Sequence, residues 1–178
     1  MNDNVGHPVN TAYRCSRRLL VLALLSSLLV AAPSMAQPAS LRAAVFPFIF
    51  DDSSPEPPQP AELARLHKVD AQLRELLARS GRFTPVSIAP VQASVDAQRL
   101  NACLACAVAL AQRLGAQVAV VAWVQKVSNL ILDINAVILS VPAGKNVVAG
   151  SVSIRGNTDQ SWSRGVRSLV AEQLLATP

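Results

Sequence analysis

Residues Val118–Val124 read Val-Ala-Val-Val-Ala-Trp-Val, an unbroken apolar run with no alternation to mark a water-facing side. Such a run suits a strand covered on both faces, and covering both faces takes helices above and below a sheet. One helix precedes it directly. Ala102–Leu114 has apolar residues at helical spacing, Asn101 is the expected N-cap and Gly115 the expected stop. The Val118–Val124 strand is therefore expected at the centre of the sheet.

Reading outward, Leu41–Phe50 is a second continuous apolar run, closed by Asp51-Asp52, and is expected as the first strand. Ser53–Pro60 holds four prolines, which block helix and ladder hydrogen bonds alike and make an extended loop. From Ala61 the period changes: Leu63, Leu66, Val69, Leu73, Leu76 and Leu77 share one face, while Arg65, Lys68, Arg74 and Glu75 point away. Gly81 is placed to end this helix in a left-handed conformation, and Phe83–Ile88 follows as a short second strand. Beyond the central strand, Leu130–Leu139 and Val147–Arg155 read as an antiparallel hairpin turning through Pro142–Asn146. A last helix starts near Thr158 or Asp159 and lays Trp162, Val166, Leu169, Val170 and Leu174 on the sheet. Gly165 inside that helix costs about 1 kcal/mol against alanine, so it implies a close approach to the sheet or to a partner. Trp123 and Trp162 fall in apolar patterns and read as packing residues. The order β-α-β-α-β-β-β-α gives an α/β fold, a mixed five-stranded sheet in a two- or three-layer sandwich. Two crossovers make the first three strands parallel, the fourth reverses, and the fifth runs with the first three.

The N-terminus carries a different pattern. Arg14, Arg17 and Arg18 precede the charge-free run Leu19–Ala32, and Ser34-Met35-Ala36 offers small residues for processing. That order is a secretory signal peptide over residues 1–36, cleaved after Ala36. The run stops at Pro33, short of the roughly 20 apolar residues that span a bilayer, so no stable membrane span is expected after cleavage. Gln37 stands where a lipidated cysteine would follow the run, and Cys15 lies on its other side. The expectation is a periplasmic protein with one domain over 37–178 and an ordered core of about 41–175. The full chain's net charge of +5 falls to 13 − 10 = +3 once Arg14, Arg17, Arg18 and Asp3 leave with residues 1–36. That is mild, aromatic residues are 4% of the chain, and the basic residues are scattered, which argues against nucleic acid as a partner.

The topology gathers the carboxyl ends of the parallel strands at one edge, where ligands of open α/β sheets commonly bind. Candidate binding residues there are Asp51 and Asp52 after the first strand, Lys126 and Asn129 in the loop after the central strand, and Arg155, Asn157, Asp159 and Arg164 around the start of the last helix. Backbone N–H groups at that start could hold an anion or an acidic group; exposed ion pairs would give the same residues a purely local role. Cys103 and Cys106 stand three residues apart near a helix start, a spacing that permits a local structural disulfide or thiol exchange. Ala102 before them and Leu104-Ala105 between them lack the aromatic and proline of thioredoxin-like sites. Haem attachment would need a histidine where Ala107 stands, and only His67 remains to join the cysteines after export, so neither a cofactor nor a metal is expected. No Ser-His-Asp set and no phosphate-cradling glycine pattern emerges, and no catalytic residue is assigned.

The strings VFPFIFDDSS, WVQKVSNLILDIN and GSVSIRGNTDQSWSRG, with NACLACAVALAQRLGA between them, together resemble a bacterial family of exported proteins of unknown function. Membership brings no known reaction; some relatives are associated with periplasmic quinoprotein alcohol oxidation, which implies an accessory role. More remotely, Val45-Phe46-Pro47-Phe48, Leu114-Gly115-Ala116 and the hairpin around Gly144 resemble the amino-terminal domain of the Tol translocation protein, the curli secretion lipoprotein and the activators of penicillin-binding proteins. Those resemblances imply an envelope protein that works by contact with other envelope proteins. A thiol-redox helper centred on Cys103 and Cys106, and a small-ligand-binding module at the strand ends, are the alternatives.

Overall fold

The computed structural model describes residues 39–176. The export segment read over residues 1–36, together with Cys15 and Gln37, lies outside the described residues. Among them the strands are β1 (Leu41–Val45), β2 (Ile49–Asp52), β3 (Phe83–Pro85), β4 (Val118–Lys126), β5 (Leu132–Ser140) and β6 (Asn146–Ile154). The helices are α1 (Pro60–Arg79), α2 (Gln92–Asp96), α3 (Leu104–Arg113) and α4 (Asp159–Ser168), the last continuing as a π-helical segment over Leu169–Leu174.

The sheet runs β3-β1-β4-β5-β6, with β2 also paired to β4. β1 is parallel to β3 and β4, and β5 is antiparallel to β4 and β6, so the mixed sheet and its central β4 follow the sequence reading. The first crossover runs from β1 out to β3 and the second returns from β3 past β1 to β4, so the two run in opposite directions along the sheet, and with one handedness they must drop their helices on opposite faces. Accordingly α1, α4 and the π-helical segment cover one face, packing Val69, Leu73, Leu77, Trp162, Val166 and Leu169 on Val118, Val120, Ala122 and Val124. α3 covers the other face, packing Ala107, Leu110 and Ala111 on Ala44, Phe46, Ala119 and Val121. The sandwich has three layers. Both faces of β4 are buried, which is why its sequence shows no alternation.

The expected first strand, Leu41–Phe50, is broken by Pro47 into β1 and β2. Proline has no N–H for the ladder, and the chain passes it with one residue more than β4 spends over the same distance. Val45 lies opposite Val120 and Ile49 opposite Trp123, so residues 46–48 face only Val121 and Ala122. Because side chains alternate, one added residue exchanges the faces of everything after it. Phe48, Phe50 and Asp52 thereby join the α1 side, and Ile49 and Asp51 the α3 side.

Further details differ from the sequence reading, β5 among them, which runs Leu132–Ser140 and not Leu130–Leu139. β3 ends at Pro85, and the remainder of Phe83–Ile88 leads into a 3-10 turn at Ala89–Val91 and then α2. α3 begins at Leu104 with Cys103 as its cap residue; Asn101 sits in the preceding turn, held by the buried Leu100, and cannot cap it. Leu63, expected on the buried face of α1, is 48% exposed, because the first turn of α1 buries Glu62 and Leu63 lies to one side of it. β6 stops at Ile154, leaving Arg155 in the following bend.

The close approach implied by Gly165 is present. A Cβ there would stand 2.7 Å from both Ile134 Cδ1 and Ile154 Cγ2, so the missing side chain lets α4 lie directly on β5 and β6. Gly150 makes the reciprocal allowance from the sheet, where a Cβ would meet Gln173 Cβ at 2.6 Å.

Candidate functional site

The carboxyl ends of β2 and β4 meet the first turn of α1 and the start of α4. Lys126, the last residue of β4, pairs in register with Asp52, the last residue of β2, and both point to the α1 side. The Lys126 ammonium lies 2.8 Å from Glu62 Oε1 and 3.4 Å from Asp52 Oδ2, with 1% of Lys126 and 1% of Glu62 exposed. Glu62 reaches this point because Pro60 opens α1 and puts Glu62 at its third position. From there its Oε2 accepts the Gln59 backbone N–H at 2.6 Å, half of a capping box. Ser54 N–H donates to Asp52 Oδ1 at 2.9 Å, and the Ser53 N–H and hydroxyl both donate to the Lys126 carbonyl.

Asn157 ties this cluster to α4. Its Nδ2 donates to Glu62 Oε1 and, at 3.0 Å, to Asn129 Oδ1; its Oδ1 accepts Arg65 Nη1 at 3.1 Å and Trp162 Nε1 at 3.0 Å. Outside it, Asp159 bridges Arg65 at 2.8 Å and Lys68 at 2.6 Å. Thr158 caps α4 by accepting the Ser161 N–H at 3.2 Å, while the buried Ser161 hydroxyl turns back to the Gly156 carbonyl. The α4 start is thus supplied with an acceptor in Thr158 and a negative charge in Asp159 by the chain itself.

The electrostatics follow from this geometry. Burial pushes the Glu62 carboxyl up, but the Gln59 N–H, Lys126 and Asn157 outweigh it and hold the group below its ordinary value. Burial likewise works against Asp52, whose bonds to Ser54 and attraction to Lys126 prevail and lower it. Lys126 is pulled down by burial and up more strongly by Glu62 and Asp52, so its ammonium stays charged beyond the ordinary lysine range. Asp159 is lowered by its bonds to Lys68 and Arg65. A general acid or base needs a proton affinity tuned toward the working pH, and these shifts all run the other way. Chemically the cluster is a clamp: each charge is spent on a neighbour, fastening β2, β4, α1 and α4 together.

Of the residues read from the sequence, Asp52, Lys126, Asn129, Asn157 and Asp159 are brought together here. Asp51 is turned away and meets Arg99 at 2.7 Å on the α3 side, where both are exposed. Arg155 and Arg164 stand apart from the cluster, lining a groove of about 680 Å³ beside β6. Cys103 and Cys106 form a disulfide at the start of α3, so the thiols are joined to each other. The sequence reading missed Glu62, which holds the centre, and Arg65 and Lys68, the partners of Asp159. A signal existed: proline followed two residues later by glutamate marks a helix start, and the topology sets that start over the strand ends. It reaches the loop after the central strand, through Asn129, but not its apolar tip: it puts Leu130 and Ile131 in the next strand, whereas Val127, Leu130 and Ile131 are 45%, 70% and 44% exposed. Among the described residues no three of His, Cys, Asp and Glu gather to hold a metal ion, and no helix is long and apolar enough to cross a membrane.

No curated protein matches the chain. Among solved structures it is similar to the LpoB C-terminal domain from Salmonella enterica, at 17% identity over 68% of this chain and 87% of that one, with a TM-score of 0.49. It is similar to TolB from Acinetobacter baumannii at 13% identity over 79% of this chain and 30% of that one, with a TM-score of 0.43. With the PelC dodecamer from Paraburkholderia phytofirmans it shares 11% identity over 76% of this chain and 89% of that one, at a TM-score of 0.50, a likeness of fold. The family model described as a protein of unknown function (DUF2380), named DUF3280, matches residues 41–174, from the first residue of β1 to the last of the π-helical segment, and the chain belongs to that family.

Proposed function

We propose that this chain is an exported accessory module of the cell envelope that acts by binding another protein, with the strand-end edge as its contact surface. The observation that carries the reading is the contrast at that edge. The ionisable groups below are locked in mutual pairs, while the loop above them presents Val127, Leu130 and Ile131 to solvent. Clustered exposed apolar side chains on a rigid base are the usual make-up of a contact surface. The mature protein would begin at Gln37 in the periplasm, and the resemblance to proteins associated with quinoprotein alcohol oxidation names the first periplasmic extract to search.

The test is affinity capture from periplasm with the wild type and with Leu130→Asp/Ile131→Asp. Both side chains are exposed, so the variant should keep the wild-type stability within about 0.5 kcal/mol. A reproducible partner that the wild type retains and the variant loses supports the reading. No partner, or one held equally by both, removes it. Mass spectrometry of the recovered protein checks the processing site.

A second reading rests on the Cys103–Cys106 disulfide at the α3 start, where a helix N-terminus favours a thiolate. A thiol-exchange helper would lose its activity in Cys103→Ser/Cys106→Ser; a fully active variant assigns the bond to structure alone.

A further inference from the structure

The two edges of the sheet are built differently. β3, at one end, is three residues long and finishes on Pro85, both of which discourage pairing with another strand. β6, at the other, is nine residues long, Asn-Val-Val-Ala-Gly-Ser-Val-Ser-Ile, with no proline and no charge. Among the described residues its only ladder partner is β5. Its one irregularity is a bulge at Val147, next to its first residue, and the edge beyond it, Val148–Ile154, free of proline and charge, is a template for an added strand.

Beside it lies the groove of about 680 Å³, walled on one side by Val152–Arg155 and on the other by Arg164, Ser168, Ala171 and Glu172. The wall residues follow helical spacing, so they form a stripe of α4 and the π-helical segment facing the edge. A strand placed at the normal spacing of about 4.8 Å from β6 would send every second side chain against that stripe. The charge of the groove is uneven. Arg155, Arg164 and Arg167 are exposed along it, and Glu172 is the one acid in the lining. Arg167 donates to Ser163 Oγ at 2.8 Å within its own helix, while Arg155 and Arg164 make no ion pair with any described residue.

We propose that the β6 edge and the α4 wall form a docking groove that takes an extended, acidic segment of a partner protein as an additional strand, its carboxylates meeting Arg155 and Arg164. Main-chain bonds to the edge give affinity, and alternate side chains give selectivity. A second copy of the chain is disfavoured as the occupant, because β6 carries no Asp or Glu to offer the arginines. This surface is separate from the strand-end loop, and its variants are separate too.

The test pans a display library of random nine-residue peptides, matched to β6, on the full mature protein, then measures the best binder as a free peptide. The selected peptides should be rich in Asp and Glu alternating with β-branched residues. Arg155→Glu/Arg164→Glu should weaken the best binder about tenfold or more, the loss of one charge-assisted contact, while Leu130→Asp/Ile131→Asp leaves it unchanged. An N-methyl scan of the peptide should abolish binding at every second residue, since alternate amides face the edge. No binder, binders without acidic enrichment, or indifference to the arginine reversals overturns the proposal. A scan without a two-residue period overturns strand addition even if the arginines matter. None of these outcomes touches the capture experiment with the Leu130 and Ile131 variant, so the two readings fail separately.

Discussion

Replacing Lys126 with methionine is the most informative single change. Methionine nearly preserves the volume of a side chain that is 1% exposed, so packing changes little while the only cation among the described residues within 4 Å of both Glu62 and Asp52 disappears. Glu62 keeps its bonds from Gln59 and Asn157, but two carboxylates then face each other across a site closed to water. Removing one partner of a buried ion pair costs about 3–5 kcal/mol, most of it the uncompensated charge that remains. For a domain of this size that corresponds to a drop in Tm of roughly 10–20 °C. Urea denaturation of the mature protein followed by circular dichroism would show the midpoint falling with the slope unchanged, because the exposed area does not change. The triple variant Lys126→Met/Glu62→Gln/Asp52→Asn removes all three charges and with them one acceptor, that of either Gln59 N–H or Asn157 Nδ2, and should recover most of the loss. A single variant within about 1 kcal/mol of the wild type, or a triple variant no better than the single, would refute the clamp.

The same cluster sets a pH profile. Asp52 and Glu62 are held below their ordinary values of 3.8 and 4.5, so their contribution is full above those and is lost as pH falls through the lower folded values. Lys126 is held above 10.5, so its contribution is full below that and is lost as pH rises through the higher folded value; urea midpoints across pH should show both limbs, and Lys126→Met should lack the alkaline one. Gly165→Ala should destabilise by about 1–2 kcal/mol, because clash with the stiff Ile154 Cγ2 exceeds the gain in helix propensity of about 1 kcal/mol; a more stable variant in thermal melts would contradict the packing. Reducing the Cys103–Cys106 disulfide should cost no more than roughly 2 kcal/mol, since it closes a loop of sequence separation 3, and urea curves with and without reductant measure this directly.

What the sequence disclosed tracks how local each determinant is. β4 and α1 were legible because their burial is uniform along the element: an apolar run for a strand covered twice, a 3.6-residue stripe for a helix covered once. Gly165 was legible because a glycine within an apolar stripe has few other uses. Residues of the strand-end cluster were placed by topology, yet its centre was not, since Glu62 looks like any exposed acid in a first helical turn until Lys126 is set beneath it. Asn101 misled because capping chemistry depends on where the turn closes, and here the buried Leu100 and the Cys103 cap move the helix start on to Leu104. Asp51 and Asp52 could not be told apart from their neighbours alone; their fates depend on a register set six and more residues away, at the pairing of Val45.

That last dependence gives the Pro47 break a meaning of its own. The segment between β1 and β2 works as a parity bit for the chain beyond it: an odd insert sends Asp52 inward to Lys126 and Asp51 outward to Arg99, and shortening it by one residue would exchange them. At this position the number of residues matters more than their kind, so a relative with a different residue in place of Pro47 keeps the cluster, whereas one with a deletion there must have rebuilt it.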